Sequence, residues 1–587
     1  MLFLLISYYL CFSLLTDLLS SCRGDWDYFF SLYEVASVSI LKYGQFPLWN
    51  PYCGGGISII GNPQAGFISP IGLLTLIFGV VPGLKIAVWL HTLLGLIGMW
   101  LLGKHMGIRG PAEIVPPLIF MLSSTWSLHI AEGHIVWLPA SILPYCFLTY
   151  LKGLKNSNWL FMSAGLGSLI LYEGGTYVFA FSMIFITIYA IINSLESRHI
   201  KPLIAFLATT ILSLLLSAPK LLPSLELLRN NPRITESGTG ITWYDFLLII
   251  LDREQTLSRS IHGTGWWEYG CYLGIIGIAL YLYSFRYFKS YKSLSISSIC
   301  IMLICVGNFS RFSPWNLLHS LPFFNFLKVP TRCLIIFCFT VALLVGLSLS
   351  NFCRKPSKGT KIFVAILILA LGIDLFSVSY KVLAEANKAG GIFSNKSLGQ
   401  HPELNQKPPE LYKLSSKEIL RVGNIAPSAH EPFSQTSIPI SMRNIHGAWS
   451  DQYLPLLHNK GVVDAYETIP YKRYALPENV ADYKGEFYLL GNGSVVLQHW
   501  SPNKLAFKIN TKANNTLVIN QNFSSGWHAR RGMIKIYKGL LSIDLEKGDY
   551  EVSVSYLPSS FLVGICILFV TVFTLIFILW KNRHKND

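Results

Sequence analysis

Apolar stretches long enough to cross a hydrocarbon core of about 30 Å, roughly 17 to 25 helical residues, recur through the first two thirds of the chain and once more at its end. They fall near 1–20, 85–103, 111–130, 136–151, 160–173, 176–193, 202–225, 269–285, 294–306, 331–350, 362–380 and 557–580. Backbone polar groups in lipid must be satisfied within the segment, so such runs are helices. The expected fold is a polytopic α-helical membrane protein of about 12 transmembrane helices. Composition agrees: 13% of residues are charged and 52% are hydrophobic, against about 25% charged in soluble proteins. An ordinary cytosolic enzyme is excluded.

The segments between the runs divide by charge. Lys104 with Arg109, Lys152 with Lys155, Arg198 with Lys201, Arg286 with Lys289 and Lys292, Arg354 with Lys355, Lys358 and Lys361, and the tail Lys581, Arg583 and Lys585 form the basic set. The positive-inside rule assigns these to the cytoplasm. The result is a multi-pass protein of the cell (plasma) membrane with both termini cytoplasmic, and it accounts for the net charge of +16 without a nucleic-acid partner. Phe67 to Leu84 is also apolar, but counting it as a span would reverse every later loop, so it reads as a helix on or dipping into the outer face. The first run also has the form of a signal peptide, though it lacks a basic leading region, which argues for a retained span. The eleven cysteines show no metal-ligand spacing and sit almost wholly in apolar runs. Cys22 and Cys53 both fall outside, and a disulfide between them stays open.

Three parts are left outside: a first loop over 21–66, a middle loop over 226–268, and a soluble domain over 381–556. The chain divides accordingly into a transmembrane domain (1–380), an extracytoplasmic domain (381–556), and a last helix with its basic tail (557–587). The final third of the soluble domain alternates apolar and polar residues over Leu517–Asn520, Met533–Tyr537 and Tyr550–Tyr556, with Asn-Gly, Ser-Gly and Lys-Gly turns between short runs. A mainly-β domain, a small β-sandwich, is expected there. Residues 381–480 carry no readable pattern.

The first outer loop holds the densest chemistry. It reads Gly24-Asp25-Trp26-Asp27-Tyr28, Tyr33-Glu34, Pro47-Leu48-Trp49-Asn50-Pro51-Tyr52, Gly54-Gly55-Gly56 and Gly61-Asn62-Pro63-Gln64. Two carboxylates one residue apart, where a span emerges, sit at the boundary between a lipid-borne and a water-borne reactant. Partial desolvation there raises a carboxylate's proton affinity toward the range useful to a general base. The same pair suits architecture equally, Asp25 capping a helix that begins near Trp26 and Asp27 in its first turn. The Gly- and Pro-rich run suits a sugar-stacking loop better than a phosphate cradle, since it matches neither nucleotide fingerprint.

These first-loop residues resemble the first outer loop of the YfhO-like bacterial membrane proteins, a family grouped within the GT-C superfamily of integral-membrane glycosyltransferases. Glu132-Gly133-His134, the segment Phe323 to Arg332 and the late motif Asn522 to Gly532 resemble that family too. The resemblance implies a GT-C-like fold, a polyprenyl-phosphate-linked sugar donor, a cell-envelope glycan or polymer as acceptor, and an acidic first-loop residue at the reaction centre. Carried onto this chain, that residue is Asp25, with Asp27 as its competitor. Glu34, Trp49, Asn50, Asn62, Gln64, Glu132 and His134 are the matching loop residues expected to line the substrate.

Ionisable residues at membrane depth are functional candidates. Lys220, between prolines in an apolar run, and Lys328 and Arg332, flanking Pro330 at an outer entrance, are candidates for holding the donor phosphate. Each also suits a lipid-headgroup anchor. A metal ligand set is not identified, although a divalent cation is compatible with the reaction. Glu173 and the aromatics Trp243, Trp266, Trp267 and Tyr269 complete the outer candidates, and Trp527, His528, Arg530 and Arg531 are the corresponding set in the β region. Two other function classes fit the same composition: a lipid-linked sugar transporter or flippase, and a non-catalytic envelope-polymer-binding membrane protein.

Overall fold

The computed structural model of the chain describes residues 1–18, 24–232, 240–257, 260–261, 264–321, 324–325, 327–353, 357–386, 433–437, 452–478 and 480–583. Cys22, Phe323, Arg354, Lys355, Lys585 and most of 387–451 lie outside the described residues, so the Cys22–Cys53 pairing and the early part of the soluble domain do too.

Among the described residues, eight helical stretches are long and apolar enough to cross a bilayer: Val80–His105, Gly110–Glu132, Ile135–Gly153, Thr176–Ser197, Gly274–Val306, Pro330–Phe352, Lys358–Glu385 and Ser559–Lys581. A ninth is the pair Lys201–Leu216 and Ala218–Asn230, bent by 80°. The count is lower than the twelve apolar runs for identifiable reasons. The first run breaks at Cys11 into Leu2–Leu10 and Phe12–Thr16. The run near 160–173 forms the 15-residue helix Asn158–Tyr172, about 22 Å long and short of the hydrocarbon thickness. The runs near 269–285 and 294–306 are two arms of Gly274–Val306, which turns back on itself. The Tyr281 hydroxyl lies 2.9 Å from Ser298 Oγ across a sequence separation of 17, a gap that a straight helix would stretch to about 25 Å. The apolar segment from Phe67 to Leu84 splits at Gly79 into a short helix Pro70–Phe78, whose N-cap Ser69 accepts from the Ile71 amide, and the start of the span Val80–His105.

Spans Gly110–Glu132 and Pro330–Phe352 are 94% buried over their apolar windows, whereas Ser559–Lys581 is 11% buried. The first two therefore form the centre of the bundle and the last runs along its lipid-facing surface.

The β region is a sandwich of two four-stranded antiparallel sheets. One has the strand order Met533–Tyr537, Leu540–Leu545, Asn515–Asn522, Phe487–Leu489; the other has Trp527–Ala529, Gly548–Tyr556, Lys504–Thr511, Gly493–Ser501. The alternation read from Leu517–Asn520, Met533–Tyr537 and Tyr550–Tyr556 falls in strands of this sandwich. Leu505, Phe507, Ile509, Leu517, Ile519, Leu541, Ile543, Val552 and Val554 fill the space between the sheets. That same core takes in Leu48, Trp49 and Ile60 from the first loop and Phe561 from the last span. The sandwich is thus fixed to the bundle through the first loop, as the β-rich extracytoplasmic part of a polytopic membrane protein.

Candidate functional site

Asp25 is placed by two close backbone crossings. The helix Ser124–Glu132 ends at Gly133, whose φ of 93° is the left-handed C-cap conformation. A Cβ at Gly133 would lie 2.3 Å from the Trp26 amide, and one at Gly24 would lie 2.2 Å from the Glu132 carbonyl oxygen. The two glycines let these segments touch. The Asp25 amide donates to the Glu132 carbonyl at 2.7 Å, and Trp26 Nε1 donates to the Ile130 carbonyl at 2.9 Å. Asp25 then precedes the buried helix Trp26–Ser37 as its N-cap residue, yet its side chain makes no capping hydrogen bond.

That side chain instead faces His134, with Oδ2 3.6 Å from Nε2 and exposures of 15% and 12%. His134 Nδ1 is 3.0 Å from His129 Nδ1, and His129 stacks on Trp137 at 4.2 Å between ring centres. Alongside, Arg332 grips Glu268 through two parallel bonds, Nε to Oε2 at 2.7 Å and Nη2 to Oε1 at 2.5 Å. Arg332 lies over the Tyr177 ring at 4.9 Å, and Thr331 Oγ1 donates to the Glu268 carbonyl at 2.6 Å. Five elements that are distant in sequence therefore meet at one end of the bundle.

Burial pushes the Asp25 carboxyl up to about 7; the Arg332 charge pulls it down and the Glu268 charge adds to the rise. Burial pushes His134 down to about 4, so its imidazole is neutral at neutral pH. For Glu268 burial acts upward, but the Arg332 charge and hydrogen bonds hold it down at about 2. Two neutral rings meeting through Nδ1 atoms must share one proton between them. If His129 donates, His134 carries its hydrogen on Nε2 and offers it to an ionised Asp25. If His134 donates, its bare Nε2 faces a protonated Asp25. The protonation state of the acid is thereby tied to the tautomer of its neighbour.

Asp27 is elsewhere. It is 1% exposed, and its carboxylate accepts the amides of Gln452 at 2.7 Å and Tyr453 at 3.3 Å, capping the short helix Tyr453–Leu457. Its place in the first turn of its own helix is as expected, but its charge is committed to the soluble domain. Glu34 is also buried on this helix; burial pushes it up to about 7 while a hydrogen bond from Tyr453 acts against the rise.

The expected sugar-stacking loop is closed off by packing. Trp49 is 1% exposed; its Nε1 donates to Gln521 Oε1 at 2.8 Å, and its ring meets Trp527 and Tyr556. Asn50 Oδ1 accepts the Tyr52 amide at 3.0 Å. Asn62 donates to the Tyr28 hydroxyl at 2.9 Å and to Glu467 at 3.2 Å, and accepts the Gln64 amide at 2.9 Å. Gln64 accepts from Thr468 Oγ1 at 3.1 Å. The run Gly54-Gly55-Gly56 receives Asn522, whose Nδ2 donates to the Gly54 carbonyl at 2.8 Å and the Gly56 carbonyl at 3.0 Å. These residues form a seam between the loop and the soluble domain.

The cations also separate. Lys220 lies just past the 80° break, 4% exposed, and its ammonium bonds the carbonyls of Ala65 and Tyr172. Lys328 is exposed. Only Arg332 of the three joins Asp25. Glu132 is buried behind the Asp25 turn, and Glu173 pairs with His91 at 3.2 Å. Glu268 and His129 are not among the residues that the sequence singles out. Among the described residues no group of three or more His, Cys, Asp or Glu side chains is placed to hold a metal ion. Among the described residues Asp25 and His134 supply two donors to this cluster, and Glu268 is committed to Arg332.

Fold and site together define a polytopic membrane protein with an acid–imidazole cluster at one end of its helical bundle. The sequence matches no protein-family model and no curated protein. Among solved structures, the chain is similar to a crystal structure of ArnT from Cupriavidus metallidurans bound to undecaprenyl phosphate, at 12% identity and a TM-score of 0.46, over 78% of this chain and 84% of that one. It is also similar to a cryo-EM structure of the arabinofuranosyltransferase AftD from Mycobacteria, at 13% identity and a TM-score of 0.48, over 94% of this chain and 40% of that one.

Proposed function

We propose that this protein is a membrane glycosyltransferase that moves a sugar from a polyprenyl-phosphate-linked donor to an extracytoplasmic cell-envelope acceptor, with Asp25 as the catalytic base and both chain termini cytoplasmic. The observation that carries the reading is the state of Asp25. It is a partly exposed carboxyl at the bundle end, shifted to about 7, with an imidazole beside it and no capping hydrogen bond from its side chain to its own helix. The first-loop motif points to the same chemistry.

In the reaction, ionised Asp25 takes the proton of an acceptor hydroxyl as its oxygen attacks the anomeric carbon. The bond from that carbon to the phosphate oxygen breaks, and the polyprenyl phosphate leaves with the electron pair. His134 faces the acid, and its tautomer shifts as the acid becomes protonated. Glu268 occupies Nε and Nη2 of Arg332, which leaves Nη1 to donate to the departing phosphate. Lys328, exposed four residues before it, adds long-range positive charge. Asp27 has no part in the chemistry. No step is routed through a metal ion.

The bent span with Lys220 at its break favours a second reading, transport of the lipid-linked sugar, since broken helices with buried charges mark transporter sites. One comparison separates the two. Mass analysis of envelope polymers from cells carrying Asp25→Asn should show product reduced by about 10²–10⁴-fold, the usual worth of a general base. Unchanged product in that variant, together with movement of lipid-linked sugar across vesicles that lack acceptor, would overturn the transferase.

A further inference from the structure

The sandwich carries a groove of about 680 Å³ lined by Asn514, Thr516, Arg531, Lys535, Asp544, Glu546 and Tyr550, among others, within the size range of ligand sites. Its place in the fold is informative. The strands Asn515–Asn522 and Gly548–Tyr556 both begin at the groove. Both end at the first-loop seam, the former through Gln521 and Asn522 and the latter through Tyr556 against Trp49. Eight extended residues cover about 25 Å, so the groove is at the end of the sandwich away from the bundle.

Its chemistry is as specific as its place. Arg531 lies over the Tyr550 ring at 4.0 Å, and Tyr550 is itself tied by its hydroxyl to the Glu546 carbonyl. Among the described residues the Arg531 guanidinium has no hydrogen-bond or ion-pair partner, so its donors face solvent from an exposed position. Asn514 Oδ1 accepts the Lys547 amide at 3.3 Å, which turns its Nδ2 donors outward. Lys535 pairs with Asp544 at 2.5 Å, and Thr516 donates to the same carboxylate at 2.9 Å. Arg531 and Lys535 against Asp544 and Glu546 leave the lining without net charge. Such a surface offers donors and acceptors and no field to attract a polyanion.

We infer that this groove binds a neutral saccharide chain, holding the acceptor polymer about 25 Å from the first-loop seam. The use of the bound chain as acceptor rests on the transferase reading; the binding itself does not. The test is calorimetric titration of the full-length protein in detergent with maltohexaose, cellohexaose and chitohexaose, and with polygalacturonate as the charged probe. Saturable binding of at least one neutral hexasaccharide is expected, weakened at least tenfold in Arg531→Ala and in Asn514→Ala, both at exposed positions, and unchanged in Asp25→Asn. Binding unchanged in both groove variants, no binding of any neutral probe, or a preference for polygalacturonate would overturn the inference. Loss of transfer in Asp25→Asn with binding intact separates this result from that of the catalytic proposal.

Discussion

The first loop contributes to two regions of opposite character. At the seam with the sandwich, Trp49, Asn50, Asn62 and Gly54–Gly56 are buried and their polar atoms are matched over short distances, from the Trp49–Gln521 bond at 2.8 Å to the clamp of Asn522 on two glycine carbonyls. At the Asp25 cluster the geometry is looser. The acid is partly exposed, it faces its imidazole at 3.6 Å, beyond hydrogen-bond range, and it holds a proton to about pH 7. A seam gains by saturating its polar groups, whereas a reactive group has to keep some capacity in reserve. The contrast separates the packed part of the loop from the one loop residue proposed above as the base.

The contrast can be broken by mutations on either side of it. The largest stability effect is expected from Trp49→Ala, which removes a fully buried ring from the sandwich core and costs about 3–5 kcal/mol; thermal unfolding in detergent would measure it. A smaller effect is expected from Asp27→Ala. It leaves the Gln452 and Tyr453 amides without their acceptor and costs about 1–3 kcal/mol, while transfer per folded molecule is retained. Loss of transfer in folded Asp27→Ala would move the base from Asp25 to its neighbour.

Much of this architecture is legible in the chain. Hydropathy locates the spans, and period-two alternation locates the sandwich, because both signals are local. The number of spans is not legible, since a run of apolar residues does not reveal whether its helix breaks at Cys11, bends by 80° after Leu216 or folds back near Tyr287. Asp25 and His134 stand out by residue type and by their place beside span ends. Glu268 does not, because what defines it is Arg332, 64 positions later. The glycine, asparagine and tryptophan motif misleads for a physical reason: the residues that let a backbone approach a sugar also let it approach another backbone, and only burial distinguishes the two.

The account depends on a carboxyl that exchanges its proton near neutral pH. Because its folded-state value lies above the ordinary 3.8, proton binding favours the folded protein. The contribution of Asp25 to stability is therefore full below about pH 3.8 and declines as pH rises toward about 7. Infrared difference titration of the wild type against Asp25→Asn reads this proton directly, without knowledge of donor or acceptor. Half-protonation of Asp25 close to pH 7 is the predicted result, and a carboxylate that stays ionised down to pH 5 would contradict it.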